Sequence, residues 1–174
     1  LRDKRPMGQL IHGTRNPGLD IVPATIQLAE LESLLSGALD GFFRLSESLR
    51  MQDLPYEFVI IDCPPNLGMV TVNAFVAATH VLVPLQTAKF SLDGLAALTS
   101  TIKTVQSRFN QGLKILGGVL TMYNPRTAIA HAMIEPIQEY IRVFDSKISR
   151  PVAVEEALSM KPTVFQYVPK SIVA

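Results

Sequence analysis

The stretch Phe58-Val59-Ile60-Ile61-Asp62-Cys63-Pro64-Pro65 constrains the fold more than any other part of the chain. Four apolar residues run straight into an aspartate, and two prolines then stop the segment. Such a run fits a strand buried on both faces, as in a parallel sheet covered by helices. A carboxylate at the C-terminal end of that strand lies where open α/β sheets bind their ligands. The same residues also fit a buried strand whose Asp62 only caps the next turn, and residues 58–65 alone leave both readings open.

The rest of the chain supports an α/β order. Leu19–Pro23 reads as a short strand, Ile26–Leu35 as a helix capped by Thr25, and Leu39–Met51 as a second helix. After the central strand Phe58–Asp62, Asn66 and Gly68 supply a turn, and Val70–Ala78 reads as a helix. His80–Leu85 is a buried strand. Ser91 then caps a long helix whose apolar residues Leu92, Leu95, Leu98, Ile102, Val105 and Phe109 form one stripe, a core face. Ile115–Tyr123 is the next strand. Thr127–Ile141 is helical with a kink or break at Pro136, and Val143–Ile148 is a further strand. Val154–Ser159 reads as a short helix and Thr163–Tyr167 as a last extended piece. Strands alternating with helices imply a parallel sheet with right-handed crossovers.

A length of 174 residues suits a single domain, 1–174, with an irregular N-terminal segment over 1–18 that is rich in glycine and proline. Hydrophobic residues at 48% and charged residues at 18% suffice for a sizeable core and exclude a disordered composition. Net charge is +1, so nucleic-acid binding requires a local patch. The single cysteine excludes an internal disulfide and a cysteine-rich zinc site, in keeping with a reducing compartment. The longest apolar runs are too short to span a bilayer, and Leu-Arg-Asp-Lys-Arg carries no apolar signal core. The chain starts at Leu1, not Met, and is expected to be a fragment of a longer protein.

The histidines His12, His80 and His131 share no ligand spacing with one another or with Cys63. No Gly-x-Ser-x-Gly elbow and no Gly-x-Gly-x-x-Gly loop occurs. Three strand ends instead gather polar groups. Leu85-Gln86 is the first, Tyr123-Asn124-Pro125-Arg126-Thr127 the second and Ser149-Arg150-Pro151 the third. Each alone is an ordinary strand-to-loop junction. A parallel topology sets Asp62, Gln86, Asn124, Arg126 and Arg150 on one rim.

In order and spacing the chain resembles the ParA/Soj family of partition ATPases, within the MinD-like group of deviant P-loop ATPases. The residues that carry the resemblance are Tyr56–Gly68, Thr71-Val72-Asn73-Ala74, Val83-Pro84-Leu85-Gln86, Gly94-Leu95 and Leu120-Thr121-Met122-Tyr123. Arg126-Thr127, Glu156-Ala157, Lys161-Pro162 and Tyr167 with Pro169, Ser171 and Ala174 continue it, so that it covers about residues 19–174. It implies a three-layer α/β/α P-loop NTPase fold, with a mostly parallel sheet flanked by helices, here truncated at its N-terminus. It implies an enzyme that binds ATP and Mg²⁺, dimerises around ATP, and binds DNA without sequence preference. A centromere-binding partner of the ParB type would stimulate hydrolysis, and the protein would be cytoplasmic and nucleoid-associated. By position, Asp62 would be the catalytic carboxylate near Mg²⁺. Pro64 and Pro65 would belong to the γ-phosphate-sensing loop, Gln86 would lie on the rim, and Tyr123, Asn124, Arg150 and Pro151 would lie near the adenine.

The departures are as informative. The family's phosphate loop, Lys-Gly-Gly-x-Gly-Lys-Thr, and its first acidic switch are absent from the sequence and are expected upstream of Leu1. Without backbone N–H groups and a lysine around the phosphates, ATP hydrolysis is not expected from this chain alone. Ala88 and Lys89 stand where the family often has Glu and Tyr, Ser149 replaces a usual proline, and an arginine is missing near Val152–Val154. Two alternatives follow: a non-hydrolysing dimerisation module, or another MinD-like positioning ATPase. DNA contacts, if the resemblance carries, fall to Lys103, Arg108, Arg126, Arg142, Lys147 and Arg150, against the bland reading of scattered solvated charges.

Overall fold

Between Val81 and Leu85 every second side chain turns inward. Val83 and Leu85 are buried while Leu82 and Pro84 face out. The computed structural model of the chain describes residues 3–25, 28, 30–86, 92–149, 156–157, 159 and 163–167. It divides into two compact units, one of Leu1–His80 and Ser100–Lys114, the other of Val81–Thr99 and Ile115–Ala174.

The second unit holds a three-stranded parallel sheet in the order β3-β4-β5, from β3 (His80–Gln86), β4 (Lys114–Tyr123) and β5 (Val143–Ser149). One face packs on helices α4 (Leu92–Arg108), α5 (Ala128–Ala132) and α6 (Ile134–Gln138), through Leu85, Leu95, Leu120, Ala130 and Ile137, all without exposed surface. Each large apolar side chain taken out of water there contributes about 1.5–3 kcal/mol. The other face leaves Leu82, Leu116 and Ile148 exposed. The sequence marks His80–Leu85 simply as buried, and the structure buries one side of it. At Gly117 a φ of +144° and a main chain close to the Arg142 carbonyl require glycine. The Gly118 N–H donates to that carbonyl at 2.7 Å, which lets β4 meet the start of β5.

The long α4 forms as its stripe predicts. Leu95, Ile102 and Val105 are buried along it. The predicted helix over 127–141 does break, but not at Pro136. It breaks at Met133, and Pro136 is the third residue of α6. An N–H in the first turn has no intrahelical acceptor, so proline sits there without losing a bond. Thr163–Tyr167 is helical, not extended: Val164–Tyr167 forms one turn. Thr163 Oγ1 accepts from the Gln166 N–H at 3.2 Å, and Gln166 Oε1 accepts from the Thr163 N–H at 3.0 Å. This capping box outweighs the β preference of Val164, Phe165 and Tyr167.

The first unit opens with a 3₁₀ turn, Met7–Leu10, and an antiparallel pair of two-residue strands: β1 (His12–Gly13), in the segment expected to be irregular, and β2 (Asp20–Ile21), inside the predicted Leu19–Pro23 strand. Helices α1 (Leu31–Ser36), α2 (Arg44–Arg50) and α3 (Met69–Ala77) follow. The predicted Leu39–Met51 helix is thus shorter at its start, where residues 39–43 form turns and Leu39 is exposed. Asn73 of α3 is fully buried and fully bonded. Its Nδ2 donates to the carbonyls of Gly41 at 2.7 Å and Met69 at 3.0 Å, and its Oδ1 accepts from the Leu45 N–H at 3.2 Å. Asn110 Nδ2 caps the end of the same helix through the carbonyls of Phe75, Val76 and Ala78.

One expectation fails. The segment Phe58–Asp62 forms no strand, and Phe58 and Ile60 are 77% and 92% exposed. Hydrophobicity alone does not make a strand; the backbone N–H and C=O groups need a neighbour's. Among the described residues no strand pairs with this segment.

Candidate nucleotide site

The candidate residues divide between the two units. In the first, Asp62 ends the apolar run and is exposed, as are Pro64 and Pro65. The chain then turns into α3. Asn66 Oδ1 accepts from the Gly68 N–H at 3.3 Å, and Thr71 Oγ1 donates to the Asn66 carbonyl at 2.8 Å. Cys63 is exposed as a residue, yet its sulfur turns back to donate to the Ile61 carbonyl at 3.7 Å. Partial burial of that sulfur, and then the neighbouring Asp62 carboxylate, push the thiol above its ordinary range. Cys63 is therefore a thiol at neutral pH and a poor cation ligand.

In the second unit, Gln86 ends β3 and Asn124 follows β4. Neighbouring parallel strands set these two on one edge of the sheet. The chain leaves β4 through a distortion. The register with β5 shifts between Leu120 and Tyr123, and Met122 adopts a φ of +52°. A methionine in the left-handed region is held there by its surroundings. The shift seats Tyr123 in the core cluster, 7% exposed.

The turn that follows is closed by its own polar groups. Asn124 Oδ1 accepts from the Arg126 N–H at 3.0 Å. The Asn124 carbonyl accepts from the Thr127 N–H at 3.2 Å and from Thr127 Oγ1 at 3.0 Å. His131, one turn into α5, brings Nε2 to 2.8 Å from the Pro125 carbonyl. Its ring meets Tyr123 edge-on at 6.3 Å and 77°. On the sequence His131 is weighed only as a metal ligand, and its lack of ligand spacing sets it aside. The signal that could have found it is its position four residues beyond Thr127, which on a helix sets it above the cap.

The cationic candidates also divide. Lys103 and Arg108 are exposed on the part of α4 in the first unit. Arg108 edges a cavity of about 350 Å³ walled by Phe42, Val72, Val105 and Phe109. In the second unit Arg142 precedes β5, and its guanidinium lies 5.7 Å from the Phe144 ring centre. Arg126 follows β4, whose Gly118 and Tyr123 pair with Val143 and Ser149. Arg142 and Arg126 are therefore at opposite ends of the sheet, roughly 20 Å apart along the strands. Lys147 lies on β5 between them. Arg150 and Pro151 lie outside the described residues.

Comparison with known proteins is specific. The family described as an AAA domain matches residues 1–115. The chromosome partitioning protein ParA of Myxococcus xanthus is 39% identical over 173 residues, 98% of this chain and 61% of that protein. The sporulation initiation inhibitor protein Soj of Bacillus subtilis is 37% identical over 98% of this chain and 68% of its own length. Among solved structures, cobyrinic acid a,c-diamide synthase from Mycobacterium smegmatis, with bound ADP and magnesium, matches with a TM-score of 0.76 at 28% identity. That match covers 90% of this chain and 69% of that one. The chain thus spans about three-fifths to two-thirds of the relatives' length. Among the described residues no helix is long and apolar enough to cross a membrane.

Proposed function

The chain belongs to the ParA/Soj family of chromosome-partitioning ATPases, and from that membership we propose that it supplies part of an ATP- and Mg²⁺-dependent switch for DNA partition. The observation that carries the reading is one of extent. The chromosome partitioning protein ParA of Myxococcus xanthus aligns over 98% of the chain, a span that takes in residues 62–65 and 123–127. In the intact protein ATP drives homodimer formation, the dimer holds DNA without reading sequence, and a ParB-type partner triggers hydrolysis and release. The protein acts in the cytoplasm on the nucleoid.

The residues fit the metal this reading requires. Mg²⁺ keeps several waters and takes one or two carboxylates plus substrate phosphate oxygens. Asp62 is an exposed carboxylate with no ion pair among the described residues. No cluster of three or more acidic, histidine or cysteine side chains forms a metal cage among those residues. Asp62 would therefore hold Mg²⁺ together with a nucleotide, not on its own. When bound, the ion neutralises charge on the phosphate oxygens. Pro64 and Pro65 restrict the loop after Asp62, while Gln86, Asn124 and the Tyr123–Thr127 turn supply polar groups for the nucleotide; Arg150 and Pro151, the remaining candidates for the base, lie outside the described residues.

The test is to titrate the intact protein with ATP, with and without Mg²⁺ and duplex DNA, following turnover and association state. ATP-dependent dimers that bind any duplex equally, and an ATPase stimulated by DNA with the partner protein, support the reading. ATP binding without dimerisation or DNA affinity would favour the non-hydrolysing module or another positioning ATPase. The 174-residue chain alone is expected to turn over no ATP, because no Gly-Lys-Thr or Gly-Lys-Ser loop occurs in it.

A further inference from the structure

We infer that His131 is a positioning residue for nucleotide-base selection, acting by fixing the Asn124–Arg126 turn through its bond to the Pro125 carbonyl. The inference rests on the reading that this turn faces the base. Pro125 has no N–H, so its own main chain offers the turn only a carbonyl. His131 Nε2 lies 2.8 Å from that oxygen. A carbonyl only accepts, so Nε2 carries the proton and donates.

The other bonds of the turn leave His131 a distinct task. Asn124 Oδ1 is engaged by Arg126 N–H, and the Asn124 carbonyl by Thr127. Those bonds close the turn on itself. The His131 bond instead ties it to α5, whose Ala130 is buried in the core cluster. The ring of His131 also abuts Tyr123, the residue that precedes the turn and sits in the same core. One imidazole thus touches both ends of the segment Tyr123–Pro125 and ties it to α5. A polar edge selects between bases only if its groups are held in place.

The test measures KM and kcat of the intact protein for ATP and for GTP with His131→Ala, His131→Gln and His131→Phe. His131→Ala is expected to raise KM for ATP about three- to tenfold, the range of one lost hydrogen bond. It should leave kcat within about twofold and shrink the preference for ATP over GTP by a similar factor. Glutamine keeps an N–H donor and should recover most of the loss. Phenylalanine keeps the ring against Tyr123 without a donor and should behave like alanine. An unchanged preference in His131→Ala, an equal loss for both nucleotides, or rescue by phenylalanine would overturn the inference while ATP binding by the wild type stands. A wild-type protein that binds no ATP would overturn both the inference and the reading beneath it.

Discussion

The ammonium of Lys147 stands 4.8 Å from the centre of the Tyr123 ring. Lys147 pairs with Leu120 across the two strands, so it reaches diagonally along β4 to a ring that is nearly buried. A cation over an aromatic face gains about 0.5–1 kcal/mol at an accessible site. A cation candidate for DNA and an aromatic candidate for the base thus share one contact. The position of Lys147 is set by packing as well as by charge.

This gives the DNA candidates an order. Arg126 is exposed beyond β4, whereas Lys147 is engaged by Tyr123. In the intact protein, Arg126→Ala should reduce the salt slope of the proposed duplex binding by about one unit, and Lys147→Ala by less. The double replacement of Arg126 and Arg142 should reduce it by up to about two units only if one duplex spans the sheet from end to end. Plots of log K against log salt on unrelated duplexes decide this. Equal slopes for wild type and both arginine variants would place the DNA surface elsewhere, with Lys103 and Arg108 next to be tried.

Asn73 is expected to be the most sensitive polar residue of the first unit. Asn73 itself has no exposed surface, and Asn73→Ala strands the buried Gly41 carbonyl and the part-buried Leu45 N–H. Each unsatisfied buried group costs about 1–3 kcal/mol. The expected loss is roughly 2–4 kcal/mol, read as a lower denaturant midpoint with an unchanged slope. A loss under about 0.5 kcal/mol would mean that water replaces the amide.

Asp40 links pH to stability. A hydrogen bond from Lys4 Nζ at 2.6 Å is the main cause that lowers its pKa, burial opposes this, and Arg44 adds to the lowering. A carboxyl lowered on folding contributes stability above its unfolded value, and that contribution is lost as pH falls through the folded value. Asp40→Asn should therefore unfold at a lower temperature than wild type near neutrality, and the two curves should converge in acid. Melting temperatures between about pH 2 and 7 test the sign, since convergence at neutral pH would reverse it.

Periodicity made the second unit legible. The Leu92–Phe109 stripe, which begins in the second unit and ends in the first, and the Ile115–Tyr123 and Val143–Ile148 strands each appear within a residue or two of their expected bounds. Their signals are local, because a helix or a half-buried strand carries its own pattern. What depends on a partner was not legible. The Phe58–Ile61 run has the composition of a central strand but no described neighbour to pair with. The Thr163–Gln166 capping box is written in the sequence, yet its aromatic and β-branched residues hid it. At the site, Asn124 and Tyr123 could be read from the strand end. His131 carries in the sequence only its spacing from Thr127; its contact with the Pro125 carbonyl depends on how the chain leaves β4.

The decisive residue for the proposed chemistry is Asp62. It is exposed, lies outside regular structure and makes no ion pair among the described residues, so its carboxylate has no visible structural duty. Removing such a group changes stability by about 0.5 kcal/mol or less. A carboxylate that shares Mg²⁺ with phosphate oxygens acts most where charge develops, so its loss falls on the rate. In the intact protein Asp62→Ala is expected to keep its melting temperature and to lower Mg²⁺-dependent ATP turnover about a hundredfold or more. Asp62→Asn keeps the shape and loses the charge, and should be nearly as slow. Turnover at the wild-type rate in a folded Asp62→Ala protein would remove this residue from the site. A large loss of stability would make it a structural cap, the second reading that residues 58–65 left open.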